Sequence, residues 1–139
     1  MARALRNTLF CLLPLLLLTG AGPAAAADTE RLLEGTFRWN QGSREDKPIQ
    51  AQLTQVDDEV WQATFTFRFN GSQRRWRGEL QGSLDGGEVT GTVSQGRGRR
   101  PRTWRIEGSV QDGVLQASHY EQRRSGETLT GTIRLVVEE

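Results

Sequence analysis

Seven five-residue stretches of the chain share one frame, in which apolar, polar, small, polar and apolar residues follow one another. They are LEGTF (33–37), WRGEL (76–80), LQGSL (80–84), VTGTV (89–93), IEGSV (106–110), LQASH (115–119) and LTGTI (129–133). An alternation of period two is that of a β-strand with one buried face. The frame therefore predicts a sheet protein whose strands turn their apolar residues to one side. Only LQASH ends in a histidine, the single His of the chain.

The alternation extends through eight segments that turn sequences separate. The predicted strands are 33–39, 48–55, 60–69, 74–84, 88–94, 102–111, 114–122 and 128–137. Asn70-Gly71, Asp85-Gly86 and Asp112-Gly113 favour tight hairpins, because both central residues of a type I′ turn need a positive φ. Consecutive hairpins build an all-β, antiparallel, up-and-down meander, and closing it into an eight-stranded barrel removes the exposed edges. A two-sheet β-sandwich is the alternative closure.

The first 27 residues have the pattern of a secretory signal peptide. Two arginines precede a short apolar run (9–18), and four alanines (24–27) offer a cleavage site. The run is too short to span a bilayer, so we expect no transmembrane span. The sequence thus predicts a secreted or periplasmic protein with a single β-barrel domain, 28–139. Its one cysteine, Cys11, lies in the predicted signal, so the barrel has to fold without a disulfide.

The predicted inward face combines glycines with large aromatic residues. Six of the seven frames have a glycine at their centre. Because glycine weakens a strand, its repetition indicates a tightly coiled sheet with room for bulky side chains opposite. Barrels of eight strands are either filled by side chains or wide enough for one small ligand, and the sequence is compatible with both. An outer-membrane barrel needs an apolar outside, whereas the outward residues here are almost throughout Thr, Gln, Ser, Arg and Glu.

Charge sorts between the two ends of the predicted meander. Without the signal, 16 basic and 17 acidic residues remain, a balance that argues against a general polyanion binder. One end, which we call the mouth, collects Arg44, Lys47, Arg74, Arg75, Arg97, Arg99, Arg100, Arg102, Arg123 and Arg124, with Glu45 and Asp46 among them. The opposite end, the base, collects Asp57, Asp58, Glu59, Asp85, Glu88 and Asp112. A functional basic rim is one interpretation, and ordinary solvated loops are the other.

A candidate ligand site follows from the residues at the mouth. The inward residues nearest to it are Trp39, Phe69, Trp76, Trp104 and His119, and the loop beside them contributes Arg97, Arg99, Arg100 and Arg102. Aromatic side chains would hold the apolar body of a ligand, and arginine would bind its carboxylate or phosphate. At this place we expect His119 to be able to reach water or a ligand. Either it caps the core through a hydrogen bond to the backbone, or it acts as a donor to a ligand head group.

The stretch GTFRWNQGS (35–43) resembles the first strand and loop of the avidin and streptavidin family. In that family an Asn and a Ser of the loop contact biotin. The nearest positions here are Asn40 and Ser43, at a spacing one residue shorter, and the later tryptophan and aspartate contacts of the family have no match. We interpret the resemblance as convergence between small barrels of the calycin-like shape that avidins and lipocalins share, and we expect no biotin site.

Other classes of function have little support in the sequence. No group of His, Cys and carboxylates has metal-ligand spacing, and one histidine without a cysteine in 28–139 excludes most pairs of nucleophile and base. GRGRRP (96–101) is too isolated on a near-neutral chain to indicate nucleic-acid binding. We therefore predict a noncatalytic protein without cofactor or metal that binds a small apolar or anionic amphipathic ligand. The alternative is a side-chain-filled barrel that binds a protein or an acidic polymer.

Overall fold

The computed structural model describes residues 30–42, 44–96 and 100–137, which form an all-β structure. The strands are β1 (Glu30–Trp39), β2 (Lys47–Asp57), β3 (Val60–Phe69), β4 (Ser72–Gln81), β5 (Gly87–Gln95), β6 (Arg102–Gln111), β7 (Val114–Arg123) and β8 (Gly126–Val136). The predicted signal peptide lies outside the described residues. Within them, no helix has the length and apolar character needed to cross a membrane.

The strands close into a barrel. Each strand pairs antiparallel with the next one, and β8 pairs with β1, where Phe37 lies opposite Ile133 and Trp39 opposite Gly131. This confirms the predicted eight-stranded up-and-down barrel in place of the two-sheet sandwich. Because neighbouring strands run in opposite directions, the β1–β2, β3–β4, β5–β6 and β7–β8 loops all lie at the mouth, and the other three loops lie at the base.

Two of the three predicted tight hairpins have the expected backbone. Both central residues have a positive φ in Asn70-Gly71 (51° and 76°) and in Asp112-Gly113 (51° and 73°). The third, Asp85-Gly86, instead belongs to a longer connection, 82–86, between β4 and β5. Leu84 in this connection is buried and packs with the core. The extra residues are therefore used to close the base of the barrel with an apolar side chain.

Packed side chains occupy the interior below the mouth. The inward residues of all eight strands join one apolar cluster, as the alternation predicts. At its upper level Trp76 stacks on Trp104, with ring centroids 4.3 Å apart and planes inclined by 22°. Phe67 packs edge-on against Trp76 at 5.0 Å. Large aromatic rings thus fill the space in which a deeper barrel would hold its ligand.

The prediction that Leu129 points inward is wrong. Its side chain is 45% exposed, because β8 contains a β-bulge. His119 lies opposite Gly131, but the next residue, Tyr120, lies opposite Leu129, so that Thr130 is an extra residue in β8. One additional residue reverses the alternation of a strand. The bulge therefore turns Leu129 away from the core at the level of the mouth.

The glycines of the repeated frame lie where neighbouring strands approach most closely. A Cβ atom at Gly35 or Gly78 would overlap a carbonyl oxygen of the adjacent strand. At Gly131 it would in addition lie 2.7 Å from Nε2 of His119. The frame thus lets the sheet coil tightly, as predicted, and at Gly131 it also makes room for the imidazole. The crowding comes mainly from strand backbone and not from a facing aromatic ring.

Candidate functional site: the mouth of the barrel

The mouth and the base carry opposite charge. The described cations at the mouth are Arg44, Lys47, Arg74, Arg75, Arg100, Arg102, Arg123 and Arg124. The carboxylates at the base are Asp57, Asp58, Glu59, Asp85, Glu88 and Asp112. Arg97 and Arg99 of the predicted site lie outside the described residues. An anion that approaches the mouth therefore meets a rim of positive charge, and one that approaches the base is repelled.

A pocket of about 260 Å³ opens at the mouth. It is lined by the apolar residues Trp39, Phe67, Phe69, Trp104 and Leu129, and by the polar residues Asn40, Gln41, Arg74, Gln95, Arg102, Glu121, Arg123, Thr128 and Thr130. Of the predicted site residues, the structure brings Trp39, Phe69, Trp104 and Arg102 together on this wall. Trp76 and His119 lie behind the wall, and Arg100 lies apart from it on an exposed loop.

Rigid aromatic contacts hold the apolar wall in place. The ring of Trp39 lies 5.3 Å from that of Phe69 and meets Trp76 edge-on at 6.0 Å. Trp104 is fully buried against Trp76, while Trp39 and Phe69 are half-buried and face the opening. A ligand would therefore meet flat apolar surfaces that are packed against one another.

His119 does not reach water, contrary to the prediction. Its side chain is 0% exposed and lies behind the pocket, between the edges of Trp39 and Trp76, with centroid distances of 5.1 and 5.2 Å. These two indoles cover the ring, and the bulge at Thr130 brings a hydroxyl beside it. Nδ1 of His119 and Oγ1 of Thr130 are 2.6 Å apart.

The ring of His119 lies beside one hydroxyl. Oγ1 of Thr130 is 3.0 Å from the carbonyl oxygen of His119 and 2.6 Å from Nδ1, so its one hydrogen can go to either atom, and the contact with Nδ1 is compatible with both tautomers of the ring. Nε2 is buried without a hydrogen-bond partner among the described residues. Burial lowers the pKa of His119 to about 4, against an opposing effect of the Arg38 carbonyl. The imidazole is therefore neutral at pH 7.

The four indole N–H groups fall into two pairs. Nε1 of Trp61 donates to the carbonyl oxygen of Gly82 at 3.1 Å, and Nε1 of Trp76 donates to Oε1 of Gln95 at 3.1 Å. Nε1 of Trp39 and Nε1 of Trp104 are buried without a partner in the described part of the chain. Nε of Arg74 is likewise buried without a partner among the described residues. Three residues of the pocket wall thus keep a donor that the protein does not use.

One carboxylate lies among the arginines of the pocket. Glu121 is 8% exposed, and its two oxygens accept from Nε and Nη2 of Arg102, at 3.0 Å each. Arg123 adds a third bond to Glu121, at 3.2 Å. The hydrogen bonds from Arg102 lower the pKa of Glu121, and they outweigh burial, which raises it. The guanidinium of Arg102 also lies over the ring of Trp104, 5.1 Å from its centroid.

The sequence prediction missed Glu121, Gln95 and the inward position of Arg74. The signal for all three is the same alternation that identified the aromatics. Arg74 lies two residues before Trp76, Gln95 two after a buried valine, and Glu121 two after His119. Arg74 belongs to the predicted rim, although the inward row of β4 continues through it, and the inward rows of β5 and β7 continue in the same way to Gln95 and Glu121. The bulge, in contrast, has no sequence signal that could have identified Thr128 and Thr130 as wall residues.

The loop that resembles avidin lies at the mouth. The backbone N–H of Asn40 donates to the carbonyl oxygen of Thr130 at 2.9 Å, and its side-chain amide donates to that of Leu129 at 3.3 Å. Asn40 thus ties the loop to β8, while Ser43 lies outside the described residues. Within 30–42, 44–96 and 100–137, no three His, Cys, Asp or Glu side chains are grouped as metal ligands. Comparison with known families, curated proteins and solved structures finds no significant match.

Proposed function

We propose that this protein is a noncatalytic binding protein for small organic anions with an apolar body. The observation that carries the proposal is that Trp39, Arg74 and Trp104, which line the pocket of the mouth, each have a buried donor without a partner in the described part of the chain. A buried N–H without a partner costs free energy, and an acceptor on a ligand would recover that cost. The pattern of residues 1–27 supports a periplasmic or extracellular setting.

The size of the pocket restricts the apolar body of the ligand. Its 260 Å³ lies just below the range of about 300 to 1,000 Å³ that is usual for drug-sized ligands. One or two fused rings, or a short acyl chain, would fit against Trp39 and Phe69. The indole of Trp104 in the wall and that of Trp76 stacked behind it leave no room for a long chain to enter the barrel.

The donors determine the chemistry of the head group. Arg74 brings a full positive charge, and the two indoles bring neutral donors, so the group they fit accepts hydrogen bonds and carries negative charge. A carboxylate meets both conditions. A ligand cation would find only Glu121, whose oxygens are already bonded to Arg102 and Arg123. We therefore expect the site to prefer anions over neutral and cationic molecules of the same shape.

Binding can be followed directly at the indole N–H groups by two-dimensional ¹H–¹⁵N NMR. Titration with 2-naphthoate should shift the Nε1–H resonances of Trp39 and Trp104 downfield, because each gains an acceptor. The resonance of Trp61, which is bonded to Gly82 at the base, serves as an internal control and should stay in place. The neutral amide 2-naphthamide and the cation 2-naphthylmethylammonium should bind at least about tenfold more weakly, a difference of about 1.4 kcal/mol. Equal shifts at Trp39 with all three compounds would refute the proposed preference for anions.

A filled barrel that binds an acidic polymer or protein is the second candidate. The observation in its favour is that Arg44, Arg75, Arg100 and Arg124 are exposed on the rim and lie apart from the pocket wall. Under this alternative, poly-glutamate would bind at the mouth with strong salt dependence and without a shift at Trp39 or Trp104. The same NMR titration, repeated with poly-glutamate, separates the two functions.

A further inference from the structure

A carboxylate, that of Glu121, lies in the pocket that we propose to bind an anion. Leu115, Ala117 and His119 precede it on the inward row of β7, and all are buried. At the mouth this row ends in a carboxylate, and Cα pairing places Glu121 opposite Trp104 on β6. A negative charge at this position lowers the positive potential of the pocket, so it weakens the binding of any other anion nearby.

The contacts of Glu121 are those that a bound carboxylate would make. Arg102 grips both of its oxygens with a planar fork, the geometry by which arginine recognises carboxylate ligands. The side chain of Arg102 is 58% exposed, whereas that of Glu121 is only 10% exposed. The cation thus lies on the solvent side and the carboxylate on the pocket side. Seen from the opening, the chain has filled its own head-group position.

We propose that Glu121 is an internal substitute for a ligand carboxylate, and that the carboxylate of the ligand replaces it on Arg102 and Arg123, in the same pocket whose lining includes the unused donors of Trp39, Arg74 and Trp104. This inference rests on the proposed function and names the exchange that accompanies binding. The replacement conserves the bidentate bond, because one carboxylate leaves the guanidinium fork as another enters. The exchange moves the buried Glu121 side chain toward water, where a charged carboxylate is well solvated.

The exchange makes the mouth selective. A neutral ligand offers no charge to replace that of Glu121, so it would leave the pair with Arg102 intact and use only the aromatic wall. An anion with a planar, two-oxygen head can take over both bonds, and one with a single acceptor cannot. Glu121 would therefore reject weakly acidic or monodentate molecules that the basic rim alone would attract.

Removal of the Glu121 charge should tighten anion binding. We expect the Glu121→Gln variant to bind 2-naphthoate about tenfold more tightly than the wild type in isothermal titration calorimetry, because the ligand no longer competes with a charged carboxylate. Glu127→Gln is the matched control. It removes the same charge from a carboxylate that is also gripped by an arginine, Arg105, but on the outer surface. Its affinity for 2-naphthoate should equal that of the wild type.

A double variant tests whether Arg102 receives the ligand. In Glu121→Gln/Arg102→Gln the tenfold gain should disappear, since the fork that accepts the carboxylate is gone. If Glu121→Gln binds no tighter than the wild type, or if the double variant keeps the gain, the exchange at Arg102 is refuted while the proposed function stands. If neither the wild type nor Glu121→Gln binds 2-naphthoate, both the exchange and the proposed function are refuted. Thermal melts of each variant establish that the barrel is folded.

Discussion

At the scale of single residues, His119 shows how burial determines the charge of a ring. The Thr130 hydroxyl contacts Nδ1 and the carbonyl oxygen of His119, and Nε2 is buried without a partner among the described residues. The position at which the other six frames carry an aliphatic or aromatic residue is thus occupied by a neutral imidazole. Its neighbours Trp39 and Trp76 exclude water, and for this reason the ring resists protonation.

Protonation of His119 should couple the stability of the barrel to pH. The folded-state pKa of about 4 lies below the ordinary value of 6.5, so at pH values between the two the unfolded chain binds a proton that the folded chain does not. The free energy of unfolding should therefore fall as the pH is lowered from 7 to 5, by roughly 2 kcal/mol. Urea unfolding followed by tryptophan fluorescence at pH 7, 6 and 5 measures this slope.

The variant His119→Gln separates this effect from general acid sensitivity. Glutamine keeps a donor and an acceptor beside Thr130 but does not titrate. The carboxylates, whose ordinary pKa values lie below 4.5, contribute little above pH 5. The slope between pH 7 and 5 should be nearly flat in the variant. An equal slope in both proteins would mean that His119 is not the group responsible.

At the scale of the strands, the repeated frame is a device for close contact between backbones. Gly35 and Gly78 lie against carbonyl oxygens of the adjacent strands, where any Cβ would overlap them. Backbone atoms of a paired strand cannot move aside without loss of their ladder hydrogen bonds. The glycines therefore allow the barrel to close, whereas the aromatic residues fill its interior.

Replacement of these glycines should destabilise the barrel even with the smallest side chain. We expect Gly35→Ala and Gly78→Ala each to lower the free energy of unfolding by roughly 1 to 3 kcal/mol, the usual range for overpacking. The exposed, outward Gln116→Ala variant is the comparison, and it should change stability by less than about 0.5 kcal/mol. If both glycine variants melted at the same temperature as Gln116→Ala, this result would contradict the role of the frame in closure.

At the scale of the whole molecule, the up-and-down topology converts alternating loops into a separation of charge. The loops of odd order carry most of the cations, with Glu45 and Asp46 in the first of them, and the loops of even order carry carboxylates, so the closed barrel has a mainly basic mouth and an acidic base. The net charge of the chain is only +1, yet the field at the mouth is that of a cationic surface. A near-neutral protein can in this way attract anions to one end.

Salt should reveal the contribution of the rim. We expect the affinity for 2-naphthoate to fall as NaCl rises from about 20 to 300 mM, because exposed charges are screened over this range. The double variant Arg75→Ser/Arg124→Ser, on the rim, should bind more weakly at low salt and show a shallower dependence. Arg31→Ser/Arg134→Ser removes the same charge from the outer wall away from the mouth and should behave as the wild type. Identical salt dependence in all three proteins would show that the rim does not attract the ligand.

The sequence by itself determined the strands, their order and the sorting of charge. These properties are local, because alternation of period two, Asn-Gly and Asp-Gly pairs, and charged loops can each be identified within a few residues. They were sufficient to predict the closed barrel and to bring Trp39, Phe69, Trp104 and Arg102 to one mouth. The extension of the same alternation to Arg74 and Glu121 was also available in the sequence.

Only the tertiary structure decided how the mouth is completed. The bulge at Thr130 depends on the register between β7 and β8, and it reverses the faces of Leu129 and its neighbours. The pairing of Glu121 with Arg102 joins residues 19 positions apart that meet only when β6 lies beside β7. Whether an indole N–H finds a partner is likewise decided across strands. Register and cross-strand distance are properties of the closed barrel, and for this reason no local pattern in the sequence encodes the unused donors or the pairing of Glu121 with Arg102.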